Sequence, residues 1–326
     1  MDEAARRARR EAWRQERRAQ IRRRRAIALA VLAALLLLLI FAIGSLAGGG
    51  GGREEAAAKQ KPPPELPRGG RSIFPEFRVV GFAGAPQAEE LGELGIGSPD
   101  SAARRLERQA RPYGQGRGRP PVLPAFELIA TIANASPGDD GKYRTRQKTS
   151  VIRRYLAAAR RAKAILILDV QPGHADFLSE VKALDEFLAE PDVSLALDPE
   201  WHMPEGQVPG QEIGSVTAHE VNEVANHLSS ISQSRRLPEK MLIVHQFTAD
   251  MISDRKQLRT YPGVALTLNV DGFGTPLLKR QKYRALVRGD DPGEHGFKLF
   301  YREDTNMMTP SQVLRLRPQP RFVVYE

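Results

Sequence analysis

The chain has 326 residues, 49 Lys and Arg against 39 Asp and Glu, no cysteine, and a formal net charge of +10. Without cysteine there is no disulfide, no zinc thiolate site, no thiol nucleophile and no lipid-anchoring cysteine, so a folded domain must be stable through its core alone. The charge is no nucleic-acid signature either, because residues 1–25 hold eleven Arg against Asp2, Glu3, Glu11 and Glu16, which leaves about +3 for everything else.

Residues 1–25 read as an Arg-rich cytoplasmic tail. Residues 26–47 (AIALAVLAALLLLLIFAIGSLA) carry no charge, and at 1.5 Å rise such a run spans a hydrocarbon core of about 30 Å. Arg22 to Arg25 abut its N-terminal end, so the positive-inside rule predicts a single-pass anchor in the plasma membrane, N-terminus cytoplasmic and C-terminal domain extracytoplasmic. Ser45-Leu46-Ala47 is a small-x-small pattern, which leaves signal-peptide cleavage after Ala47 as the competing reading. Residues 48–72 form a Gly/Pro-rich stalk: Gly48 to Gly52 is a flexible joint, Glu55 to Lys59 a short helical spacer, and Pro62 to Pro64 stiff polyproline. The membrane is therefore a partner through residues 26–47, and nucleic acid is not.

From residue 73 to 326 one phrase repeats: a short β-branched run ending in polar residues, then a helical segment. Strands are predicted at 78–83, 121–129, 164–171, 193–200, 241–247, 264–271, 297–303 and 321–326. Helices are predicted at 100–113, 150–163, 175–190, 215–235, 276–287 and 310–316, from apolar spacings of three and four. Eight strands in strict alternation with helices, and no glycine-rich phosphate loop, favour a closed α/β barrel of the (β/α)8 TIM type over an open doubly wound sheet. The longest connections, 133–148 and 202–214, leave strands two and four. That marks the C-terminal face, where barrel enzymes keep their sites.

Period two then sorts the side chains. On strand four Val193, Leu195 and Leu197 should face the helices, while Ser194, Ala196, Asp198 and Glu200 face the barrel. The same logic places Ala125 with Glu127, Asp169 with Gln171, Thr267 with Asn269 and Asp271, and Leu299 with Tyr301 and Glu303. His245 or Gln246 closes strand five, depending on register. A polar residue at a strand end is ordinarily a turn former, but at least five of eight strands here end in an inward carboxylate. Unpaired ions inside a barrel mouth cost several kcal/mol each, so the pattern points to a ligand site. Glycoside hydrolysis suits it, needing one carboxylic acid to protonate the leaving oxygen and one carboxylate to stabilise or attack the sugar. Trp201 and Tyr301 could offer stacking faces.

Leu197-Asp198-Pro199-Glu200-Trp201 resembles the fourth-strand Asp-x-Glu ending of chitinase-type and barrel-type muramidase glycoside hydrolases. The resemblance implies Glu200 as acid and Asp198 as the partner that orients or stabilises an N-acetyl sugar. The longer acidic run of chitinases is absent, since Val193 and Ala196 stand where further Asp would be. Phrases such as ILDVQPGHADF, VHQF, NVDGFG and KLFYRED resemble those of exported barrel proteins of an actinobacterial type.

The expectation is thus a membrane-anchored, extracytoplasmic glycoside hydrolase-like barrel acting on an envelope or other extracellular polysaccharide, such as peptidoglycan or an amino-sugar glycan. Catalysis falls to Glu200 and Asp198, with Glu127, Asp169, Gln171, Trp201, His245, Gln246, Asn269, Asp271, Tyr301 and Glu303 lining the substrate. No cofactor is expected, and no metal: the six histidines contain no HxH or HExxH pair. Two alternatives stay open, a barrel that binds glycan or an envelope protein without catalysis, and a metal-dependent, phosphodiesterase-like hydrolase built on Asp169, Asp198 and Glu200.

Overall fold

The computed structural model describes residues Pro62–Glu326; the tail, the apolar segment 26–47 and the linker to residue 61 lie outside the described residues. Eight strands alternate with helices: β1 (Arg78–Gly84), β2 (Val122–Ala133), β3 (Ile165–Val170), β4 (Val193–Leu197), β5 (Lys240–Gln246), β6 (Val264–Val270), β7 (Glu294–Leu299) and β8 (Phe322–Tyr325). Each pairs parallel with the next, and β1 pairs with both β2 and β8, so the sheet closes into an eight-stranded parallel barrel. The helices are α1 (Pro99–Gly114), α2 (Thr149–Arg161), α3 (Phe177–Lys182), α4 (Asp185–Leu188), α5 (Ala218–Ser234), α6 (Pro276–Leu286) and α7 (Pro310–Val313). Among the described residues no helix is long and apolar enough to cross a membrane.

Alternation along the strands generates two cores. Val193, Leu195 and Leu197 join the outer core between strands and helices, together with Leu166, Leu168, Leu242 and Val244. Ala196, Ile167, Ala125, Ile243 and Val324 fill the barrel interior. Below them Leu66, Ile73 and Phe77 close the N-terminal end. Residues ahead of Ile73 therefore belong to the fold: Leu66 is 4% exposed, and Arg71 donates to the carbonyls of Pro64, Arg236 and Leu237.

Helix starts follow local chemistry. The Ser98 hydroxyl accepts from Ser101 N ahead of Pro99 in α1, and Thr217 with Glu220 forms a capping box on α5. That cap delays α5 to Ala218, and Val216–Thr217 pairs with Ile252–Ser253 as a small strand pair instead of opening the helix. The single helix expected over 175–190 is two short ones. Separate segments let α3 pack on α5 while α4 packs on β4. Within the loop after β2, Arg144–Arg146 runs antiparallel to the end of β2, held by Arg144 and Arg146 on the buried Glu180 carboxylate at 2.9 and 2.7 Å.

Two strand boundaries differ from expectation and change the site. β4 stops at Leu197, because Pro199 opens a 3-10 turn over Pro199–Trp201. β7 starts three residues earlier than read, at Glu294. Gly296 lies within it, and a side chain there would collide with Asn269 on β6. The Asp304 carboxylate then accepts from Phe300 N and Gly274 N, closing a turn where the strand was expected to continue.

Candidate active site

A cavity of about 290 Å³ opens at the C-terminal end of the barrel, near the lower end of the range that holds small molecules. Its wall includes Glu127, Asp169, Gln171, Asp198, Glu200, Trp201, Asp271, Lys298 and Glu326, with Phe247, Phe273 and Phe300 around them. A larger, more open groove of about 660 Å³ lies outside the barrel between α1 and α2. There Arg68 pairs with Glu107 and Arg161 with Asp100, and Arg68 also donates to the Val122 carbonyl at the N-terminal end of β2, away from the cavity.

The floor is built from period two. His245 on β5 is in register with Asn269 on β6, and its Nε2 reaches across the barrel to Glu127 Oε1 at 2.6 Å. Its Nδ1 lies 3.1 Å from Asp271 Oδ2 and 3.2 Å from the Asn269 amide. Asp271 also accepts from Gly272 N at 2.6 Å and pairs with Lys298 Nζ at 3.3 Å. Lys298 in turn binds Glu326 at 2.6 Å. One continuous chain of alternating charge therefore crosses the barrel. Burial opposes the charge on Asp271, but Lys298 and the His245 hydrogen bond outweigh it and hold the carboxyl well below the usual range. His245 goes the other way: burial favours the neutral ring, yet Glu127 and Asp271 accept from both nitrogens and keep it protonated. Lys298 likewise overcomes burial through Asp271 and Glu326.

The other acids lack such partners. Asp169 is pushed well up, first by burial and then by the charge of Asp198. Asp198 is pushed up by burial, restrained by the positive charge of His245 and Lys298, and its nearest donor is Gln171 Nε2 at 3.4 Å. Glu200, half-buried on the 3-10 turn, is raised to about 7 by burial and by the charges of Asp198 and Asp271. A carboxyl of that kind still holds its proton near neutral pH, as a general acid must.

Of the residues expected at the site, Glu127, Asp169, Gln171, Asp198, Glu200, Trp201 and Asp271 line the cavity, with His245 and Asn269 directly beneath. Three expectations are corrected. Gln246 faces away, its side chain bonded to Arg255 and the Thr248 carbonyl, since the register of β5 turns residues 241, 243 and 245 inward. Tyr301 and Glu303 sit in the turn after β7 and not on the wall, Tyr301 stacking on Tyr325 at 5.4 Å. β7 ends at Leu299 and its even-numbered residues point inward, so Lys298 takes the place given to Leu299, which is in the outer core. Lys298, Glu326 and the aromatics Phe247, Phe273 and Phe300 escaped the sequence reading. Glu326 was legible, because period two from Phe322 and Val324 lands on it.

No protein-family model matches the chain, and no curated protein matches it either.

One ligand atom from each of Glu127, Asp169 and His245 lies within 4.8 Å of the others, and among the described residues this, rather than the trio Asp169, Asp198 and Glu200 of the metal-dependent alternative, is the group with metal-ligand spacing. The acids Glu127 and Asp169 each keep one buried oxygen, Oε2 and Oδ1, without a hydrogen-bond partner.

Proposed function

We propose that the barrel is a glycoside hydrolase acting on an envelope or other extracellular polysaccharide, in a protein anchored through residues 26–47. The carrying observation is the pair Asp198 and Glu200 on one cavity wall, in surroundings that hold Glu200 as a neutral acid up to about pH 7. Glu200 on the half-buried rim donates its proton to the glycosidic oxygen. Asp198, deeper and nearer the positive charges of His245 and Lys298, stabilises the oxocarbenium-like sugar or orients its N-acetyl group. Two carboxyls in unlike surroundings are what divided acid and stabiliser roles require.

The aromatic rim supports a ring-shaped ligand. Trp201 and Phe247 line the cavity, and Phe273, 58% exposed, meets Phe300 edge-on at 6.1 Å beside it. Apolar faces over a carboxylate floor match the two-sided character of a sugar, whose axial C–H face stacks while its hydroxyls bond.

The test is reducing-end release from peptidoglycan and chitin oligomers by the wild-type protein and by Glu200→Gln. Hydrolysis by the wild type and a loss of at least about a hundredfold in the variant supports the assignment. Glycan binding without cleavage by the wild type would replace it with a non-catalytic binding barrel.

A further inference from the structure

Six carboxylates, Glu127, Asp169, Asp198, Glu200, Asp271 and Glu326, line the cavity, and the basic groups paired with them there are Lys298 and His245. Both bases are committed. Lys298 sits on Asp271 and Glu326, and His245 bridges Glu127 and Asp271. Glu127 and Asp169 lie on the side of β2 and β3, and among the described residues Asp169 has no basic group paired with it.

There two oxygens stand out. Glu127 is 1% exposed and Asp169 4%; Glu127 Oε2 and Asp169 Oδ1 are buried without any hydrogen bond, and both residues line the cavity. A buried carboxylate oxygen left unpaired costs about 1–3 kcal/mol or more, and here two residues each leave one. One ligand atom from each of Glu127, Asp169 and His245 lies within 4.8 Å of the others, a spacing that two oxygens on one ion can have at metal–oxygen distances of about 2.1–2.5 Å.

We propose that Glu127 Oε2 and Asp169 Oδ1 bind one hard divalent cation at the floor of the cavity, with water and ligand oxygens from the open side completing its coordination. His245 is no ligand in this arrangement, because both its ring nitrogens are already engaged. Its bond to Glu127 Oε1 instead fixes the direction of the other oxygen, the usual task of a partner behind a metal-binding carboxylate. An all-oxygen set selects calcium, magnesium or manganese over zinc or copper. The cation would meet the hydroxyls or carboxylate of an incoming glycan, which deepens the hydrolase reading above and rests on it only for that last step.

The experiment uses the full chain, stripped with EDTA, and titrates it calorimetrically with calcium, magnesium and manganese chlorides in the absence of polysaccharide. The expected result is one-to-one binding of at least one of these ions, with a cation-dependent rise in melting temperature. Glu127→Gln and Asp169→Asn should each weaken binding by more than about a hundredfold. Asp169→Asn carries the argument should Glu127→Gln fail to fold, since the Oδ1 it alters has no hydrogen bond to lose; near-ultraviolet circular dichroism reports folding of both. No binding of any of the three ions at millimolar concentration, or binding unchanged in a folded Asp169→Asn protein, overturns the proposal. Because no substrate is present, either outcome leaves the assignment of Glu200 untouched. Loss of hydrolysis in Glu200→Gln, in turn, says nothing of the cation.

Discussion

Replacing Glu200 with Gln separates catalysis from stability in an unusual direction. Burial and the charges of Asp198 and Asp271 raise the Glu200 carboxyl from 4.5 to about 7, so the folded protein resists its ionisation and the unfolded chain does not. Below about pH 4.5 both states are protonated and the group is neutral in its effect. Between there and pH 7 the unfolded state releases its proton first, and stability falls as pH rises. Above pH 7 the full penalty is present. A shift of this size corresponds to about 3 kcal/mol by linkage, and half-burial with solvent screening reduces it to about 1–2 kcal/mol. Glutamine keeps the shape and cannot ionise. Glu200→Gln should therefore melt about 3–6 °C higher than wild type at pH 8 and close to wild type at pH 4, measured in EDTA so that no cation compensates. The same variant should lose at least about a hundredfold of any polysaccharide hydrolysis. In the wild type, hydrolysis should fall as pH rises through about 7, when the acid loses its proton. A variant that melts lower than wild type at pH 8 would show that Glu200 is a structural cap, and would refute both the charge argument and the acid role.

Lys298→Met should destabilise by about 3–5 kcal/mol near pH 7, because it strands Asp271 and Glu326 in the barrel mouth. Asp271 then loses the cation that depresses its carboxyl, so the deficit should shrink as pH falls toward about 4 and the acids protonate; urea midpoints at the two pH values check it. A fragment starting at Pro62 should unfold cooperatively without detergent, whereas one starting at Ile73 should lose about 3 kcal/mol through removal of the buried Leu66 and of the Arg71 hydrogen bonds; equal melting temperatures would contradict this. Protease added to intact cells should digest the barrel or the linker and spare the arginine tail, and protection of the barrel would overturn the expected topology.

What the chain declares by itself is whatever depends on local period and local charge. Eight apolar runs alternating with helical ones allow only a few closed solutions, and period two sends Val193, Leu195 and Leu197 to one side and Ala196 to the other regardless of neighbours. Asp198, Glu200, Glu127, Asp169 and Asp271 were legible for the same reason, as polar residues at the inward positions of strand ends. Tertiary structure decided everything that depends on register and on contacts across the barrel. Whether His245 or Gln246 faces inward is fixed by the pairing of β5 with β6. Gly296 on β7 leaves room for Asn269, a neighbour twenty-seven residues earlier in the chain, and the end of that strand at Leu299 puts Lys298 on the wall in place of Tyr301 and Glu303. The bond from His245 to Glu127 spans 118 residues, and no local pattern encodes it. The raised carboxyl of Glu200 follows first from its burial and then from the charges of Asp198 and Asp271 at the ends of β4 and β6: a residue's type is written in the sequence, but its surroundings are the sum of groups that only the closed barrel brings within reach.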